Sequence, residues 1–265
     1  MANAYGKTSE LKLKFEYDGS KTILRDVYFT TPLKIARPFR LDFDERLVAL
    51  VMSASPALMA GDTQNFDIEV CEKADAIVTS QAYEKIHKMA EDTYAKRTCI
   101  AKVHKNARFN YLPLPAIPFT GASYRSYTDI YLEDNTSKLI FNDILACGRL
   151  AMGEEFEYNE YRSVTNVYQG DKLIFRDNTR YNPKTMDMNG FGFYEGYSHL
   201  SNYLLFNFDD IEGLRKKAIE FINDSKEDIQ GGATVLECGG LMVRLFGRSG
   251  DVLEKINKSV TDLLG

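Results

Sequence analysis

The chain has no tryptophan and only three histidines, His87, His104 and His199. None of these stands in H-E-x-x-H or any other paired-ligand spacing, which removes the usual signature of a catalytic zinc site. Cysteine is equally thin. Cys71, Cys99, Cys147 and Cys238 are scattered, with no C-x-x-C pair, so neither a zinc ribbon nor the disulfide framework of a small secreted domain is encoded. Four reduced thiols, mostly packing as small hydrophobes, are expected instead. There is no basic excess: 33 Lys and Arg against 38 Asp and Glu give a formal charge of −5. Without a basic face the chain has nothing to neutralise a phosphate backbone, so nucleic acid is not expected as a partner. No apolar run approaches the roughly 20 residues needed to cross a bilayer, and the opening MANAYGKTSE is polar where a signal peptide would be apolar. A cytoplasmic chain without membrane contact is expected, in which the N-x-S/T matches at Asn135 and Asn257 carry no glycan.

Catalytic signatures are missing too. No G-x-x-x-x-G-K-S/T loop, G-x-S-x-G elbow or recognisable cysteine nucleophile occurs. Gly190, Gly192 and Gly196 have the wrong spacing for a dinucleotide loop and no βαβ unit around them. Neighbouring acids such as Glu154-Glu155 and Asp209-Asp210 would point to opposite faces of a strand, so adjacency makes no acid–base pair of them.

What is present is a large supply of β-forming and aromatic residues, with 16 Tyr, 16 Phe and 44% hydrophobic residues over 265 positions. Leu11, Leu13, Phe15 and Tyr17 alternate with polar residues up to the turn signal Asp18-Gly19-Ser20, and a second run reaches Phe29. Similar runs lie at 46–52, 66–70, 109–111, 130–132, 139–145, 156–168, 173–181, 203–208 and 241–246. Short alternating segments separated by Gly, Pro, Asn and Asp predict a mainly β, mostly antiparallel architecture. Two late segments change period. Ile211, Leu214, Ala218 and Ile222 share a helical face after Asp209-Asp210, as do Val252, Leu253, Ile256, Val260 and Leu263 after Ser249. Residues 186–196 read as an irregular loop that 197–202 continue. No composition shift marks a linker, so one domain over 1–265 is expected.

Four stretches, in order and at fitting distances, resemble the urease accessory protein family called UreD, or UreH in some bacteria. They are YFTTPLKIAR (28–37), ALMAGDTQNFDIEV with VTSQAYEKIHKM (57–70 and 78–89), YLPLPAIPFTGASY (111–124) and DILACGRLAMGEEFEY (143–158). A weaker echo covers 232–245 and the last helix. The length is similar to that of the UreH form.

Each motif also has a physical reading. Ala60-Gly61-Asp62 makes a tight turn that either aims the Asp62 carboxylate inward or simply caps the strand that follows. Pro113, Pro115 and Pro118 fix an extended segment unfit for a central strand, hence a rigid surface connection or a docking edge. Arg149 and Glu154 are spaced for an ion pair.

The resemblance implies layered, β-helix-like stacked sheets with two α-helices near the C-terminus. It also implies a non-catalytic scaffold that binds UreF, recruits the GTPase UreG through it, and docks on apo-urease. Nickel would pass through the chain to the urease active site without a tightly bound cofactor. By matching motifs, Asp62, Ser80 and Asp143, with Asp177 as a looser match, would line the route. Oxygen ligands hold late first-row ions less tightly than imidazole or thiolate, which suits transit. The alternatives are a partner clamp without metal conduction and an all-β enzyme using paired carboxylates.

Overall fold

The computed structural model describes residues 6–40 and 46–263; the first five residues of the polar opening stretch lie outside it. The strands are β1 (Thr8–Tyr17), β2 (Thr22–Phe29), β3 (Leu33–Ile35), β4 (Leu47–Ser53), β5 (Thr63–Val70) and β6 (Asp75–Ser80). They continue as β7 (Glu84–Ile86), β8 (Ala95–Val103), β9 (Arg108–Leu112), β10 (Ala116–Pro118), β11 (Ser123–Leu132) and β12 (Lys138–Ala146). The last are β13 (Glu160–Gln169), β14 (Lys172–Tyr181), β15 (His199–Phe206), β16 (Ile229–Val235) and β17 (Leu241–Gly247). Helices α1 (Ile211–Asp224) and α2 (Gly250–Asp262) are both late, as the change of period predicts. No helix among the described residues is long and apolar enough to cross a membrane.

The first hairpin forms as expected. Asp18 Oδ1 accepts from the amides of Ser20 and Lys21 at 2.9 and 3.0 Å, Gly19 takes φ +98°, and β1 returns antiparallel on β2. Beyond it the expectation of mostly antiparallel pairing is overturned. From β4 to β13 the chain crosses from one sheet to the other and back, so strands that become neighbours within a sheet run the same way. One sheet has the order β14-β13-β11-β8-β5-β1-β2, parallel from β13 to β1 and antiparallel at its edges. The other runs β16-β17-β15-β12-β9-β6-β4-β3, parallel only from β12 to β4. The result is two stacked, coil-wound sheets of β-solenoid type. Alternation does not separate this from hairpins, because each coil strand also has one face inside and one outside.

The inside is filled in registered rows. Leu13, Ile68, Ala101, Ile130 and Val167 align across the first sheet and all are buried. They face Ala49, Val78, Tyr111, Phe141 and Leu204, aligned across the second. Fully buried large apolar side chains contribute about 1.5–3 kcal/mol each, so these rows are the main cohesive element.

The helices pack on the outer side of the second sheet. Leu214, Ala218 and Ile222 of α1 and Leu253, Ile256 and Val260 of α2 join Tyr203, Leu205, Val243 and Leu245 in one cluster. Asp210 caps α1 by accepting from the Gly213 amide at 3.0 Å. Asn257 of α2 is buried against the second sheet, donating to Asn142 Oδ1 and Ser201 Oγ at 2.8 and 2.9 Å. The N-x-S match there is a core asparagine.

Two local expectations need correction. The loop continues only through Ser198: β15 begins at His199, paired with Ala146 and Gly247 on either side. All eight of its residues are buried, so both faces are inside and period two disappears. The three prolines do not form a plain surface connection either. Ala116 and Pro118 are buried, β10 pairs with β7 and touches β12 at Ala116, and Pro113 faces the interior.

Candidate functional site

At one end of the inter-sheet space the inward positions keep their period but change chemistry. In the first sheet, register aligns Gln64, Arg97, Ser126 and Ser163, and beside them Cys99, Thr128, Thr165 and Asp177. The second sheet aligns Asp143, Asn202 and Arg244 opposite, with Ser80 next to Val51 farther along. The sheets do not close over this layer. It contains a cavity of about 250 Å³ whose lining includes Ser80, and a second of about 40 Å³ whose lining includes Asp143. Glu84, Arg97, Tyr111 and Pro113 line both, so the two cavities abut there.

Asp143 is half-buried and accepts from Ser163 Oγ at 2.9 Å and from Tyr161 Oη at 3.5 Å. Burial raises its pKa, the Ser163 hydroxyl works against that, and the nearby Asp177 charge adds to the rise, for a net upward shift. Asp177 sits on the edge strand β14. It accepts from Thr179 Oγ1 at 2.9 Å and from Arg244 Nη2 at 3.0 Å, while Arg244 Nε donates to Asn202 Oδ1 at 2.7 Å. That chain of contacts ties the first sheet to the second.

Arg97 crosses the layer. Its Nε and Nη2 donate to Gln64 Oε1 at 2.9 and 2.6 Å, its guanidinium lies 5.0 Å from the centre of the Phe66 ring, and Nη2 pairs with Glu84 on β7. Burial disfavours the Arg97 charge, but the Glu84 carboxylate outweighs it and holds the pKa above the ordinary arginine value. Burial also pushes the Tyr111 and Tyr161 phenols well up, Tyr124 to about 12, and the Cys99 thiol to about 12. These groups stay protonated at neutral pH. The donors left to a cation are therefore carboxylate and hydroxyl oxygens, a set that binds late first-row ions weakly. Among the described residues, no three His, Cys, Asp or Glu side chains converge as they would around a held ion.

Of the four residues singled out from the sequence, the fold brings Ser80, Asp143 and Asp177 into this layer. Asp62 lines neither cavity: Oδ2 accepts from the Met59 amide at 2.8 Å and Oδ1 from the Gly6 and Lys7 amides, both at 3.3 Å. Its carboxylate closes the Ala60-Gly61-Asp62 turn and pins the start of β1. Sequence reasoning missed Gln64, Glu84, Arg97, Ser126, Ser163 and Arg244. Extending the alternation would have found several, since Gln64 precedes Phe66 and Ile68 on the same face, and Arg97 likewise precedes Cys99 and Ala101. Elsewhere, Arg149 pairs with Glu154 at 2.8 Å through Nε and lies over Phe119, a surface clamp on the Leu150–Met152 turn.

The chain is thus a stacked two-sheet coil of β-solenoid type with a polar hollow between its sheets. The chain belongs to the UreD urease accessory protein family, whose model matches residues 7–265. It is 34% identical over 264 residues to the urease accessory protein UreD of Acetivibrio thermocellus, covering 100% of both chains. It is 31% identical over 269 residues to the urease accessory protein UreH of Helicobacter pylori strain P12, covering 99% of this chain and 98% of that one. The UreH of Helicobacter hepaticus is 32% identical over 81% of this chain and 84% of its own. Membership assigns the chain a role in urease maturation.

Proposed function

We propose that the chain is a non-catalytic scaffold of one domain, working in the cytoplasm. It binds UreF and, through it, the GTPase UreG, docks on apo-urease, and conducts nickel between its two sheets. The observation that carries this reading is the pair of abutting cavities, with Ser80 on one and Asp143 on the other. Asp177 continues the polar layer to the sheet edge. Asp62, two residues before Gln64, stands at the rim and contributes through the turn it holds.

Nickel here is cargo, and the chemistry of the layer suits cargo. Half-buried carboxylates attract a divalent cation, and oxygen donors release it more readily than imidazole or thiolate would. A dry clamp would fill this space with side chains, as the other end of the molecule does. The test is to make Ser80→Ala, Asp143→Ala and Asp177→Ala separately, confirm that each still co-purifies with UreF, and measure nickel bound per urease after activation. Reduced loading with partner binding intact is expected, most strongly for Asp143→Ala. Wild-type nickel content in all three variants would leave a clamp as the better reading.

A further inference from the structure

A fixed positive charge is an unexpected lining for a cation's route, yet Arg97 stands where the two cavities meet. Its neighbours suggest how it is accommodated. Gln64 and Phe66 hold the guanidinium without help from Glu84, through two hydrogen bonds and a stacked ring. Glu84 is held differently. It lies on a three-residue strand paired with another of three residues, and its carboxylate is partly open, at 21% side-chain exposure against 12% for Arg97. Of the two partners, the arginine has further contacts in the wall and the glutamate is the more exposed.

The charges sum to zero only together. Alone, Arg97 would exclude a divalent cation from the junction. Alone, Glu84 would be an uncompensated, half-buried carboxylate and would keep the cation. Resting on the conduction reading, we infer that the Glu84–Arg97 pair is the gate between the cavities. Glu84 exchanges Arg97 for a divalent cation arriving on the Ser80 side. Arg97, still seated on Gln64 and Phe66, recovers Glu84 as the cation moves on to Asp143. Passage leaves the protein's own charges as they were.

The experiment uses nickel(II) and four full-length variants: Glu84→Gln, Arg97→Gln, the double Glu84→Gln/Arg97→Gln, and Ser163→Trp, which fills the smaller cavity. Each is assayed for urease loading in the complete accessory complex, and alone for nickel(II) binding by equilibrium dialysis. Both single charge variants should slow loading by roughly tenfold or more, because each leaves one buried charge uncompensated. Their binding should diverge: Arg97→Gln should hold nickel(II) about tenfold more tightly than wild type, while Glu84→Gln should not. The double variant, neutral again, should recover most of the wild-type rate. A merely structural pair predicts neither the tighter binding nor the rescue.

Arg97→Gln binding no more tightly than wild type, or a double variant no better than the singles, would overturn the gate. Should Arg97→Gln fail to fold, Glu84→Gln against the double variant decides by rescue or its absence. If Ser163→Trp blocks loading while both charge variants load normally, the gate falls and conduction stands. If Ser163→Trp itself loads normally, conduction falls.

Discussion

The two ends of the inter-sheet space are built from the same strands, in the same register, and differ in almost everything else. At one end Phe15, Val70, Val103 and Leu132 align across the first sheet and face Leu47, Ala76, Phe109 and Leu139 of the second, all buried apolar or small residues. At the other, Gln64, Arg97, Ser126 and Ser163 face Asp143 and Asn202 across two cavities. The sealed end supplies cohesion without polar chemistry. The open end gives up packing and keeps charges inside, a cost the sealed end must offset.

The largest effect that tests this division should come from cutting into the sealed end. Leu132→Ala should lower the unfolding free energy by about 2–5 kcal/mol in a denaturant titration, while Thr128→Val on the polar row should cost well under half of that. Comparable losses at both positions would mean the open end also bears load. A third region gives the next effect. His199 is buried outside the inter-sheet space, and burial lowers its pKa to about 4 from the ordinary 6.5. Between those values the unfolded chain binds the proton and the folded chain does not. Stability should therefore fall by up to about 3 kcal/mol as pH drops from 6.5 to 4, and His199→Gln should flatten that slope.

Asp143 carries the opposite sign. Its pKa is raised in the folded state, so the folded chain takes the proton first, and acidification through that raised value adds stability. Asp143→Leu should accordingly be neutral, or stabilising by about 1 kcal/mol, in a denaturant titration, while on the conduction proposal it should lower nickel loading of urease. A variant both more stable and less able to load urease would give the contrast its clearest form. The smallest expected effect lies at the rim. Asp62→Ala removes three hydrogen bonds to backbone amides and should cost about 1 kcal/mol, with Asp62→Asn losing less.

How much of this could be read in advance follows from where each signal lies. The strands were legible because Leu11, Leu13 and Phe15, or Phe66, Ile68 and Val70, repeat within a few positions. The first hairpin was legible because Asp18-Gly19-Ser20 sits between its strands, and the helices because three or four turns share one face. Parallel winding was not legible, since the partner of Ile68 is Ala101, a full coil away. β15 was cut short because burial on both sides erased its alternation. Among the site residues, Ser80, Asp143 and Asp177 entered through family resemblance. Glu84 and Arg97 stayed hidden because a local reading has no reason to pair a loop-edge glutamate with an arginine thirteen positions on.

The winding of the chain also determines which genetic changes the molecule can absorb. Gln64, Arg97, Ser126 and Ser163 stand 33, 29 and 37 positions apart, so the unequal lengths are taken up by the bends between coils while the inner row stays in line. Lengthening a bend should leave the row untouched. Inserting one residue within β8 between Arg97 and Cys99 would turn the rest of that strand inside out, putting Ile100 where Ala101 lies now. Length variation in this molecule should therefore gather in its bends, and the lining of the hollow should change by substitution alone.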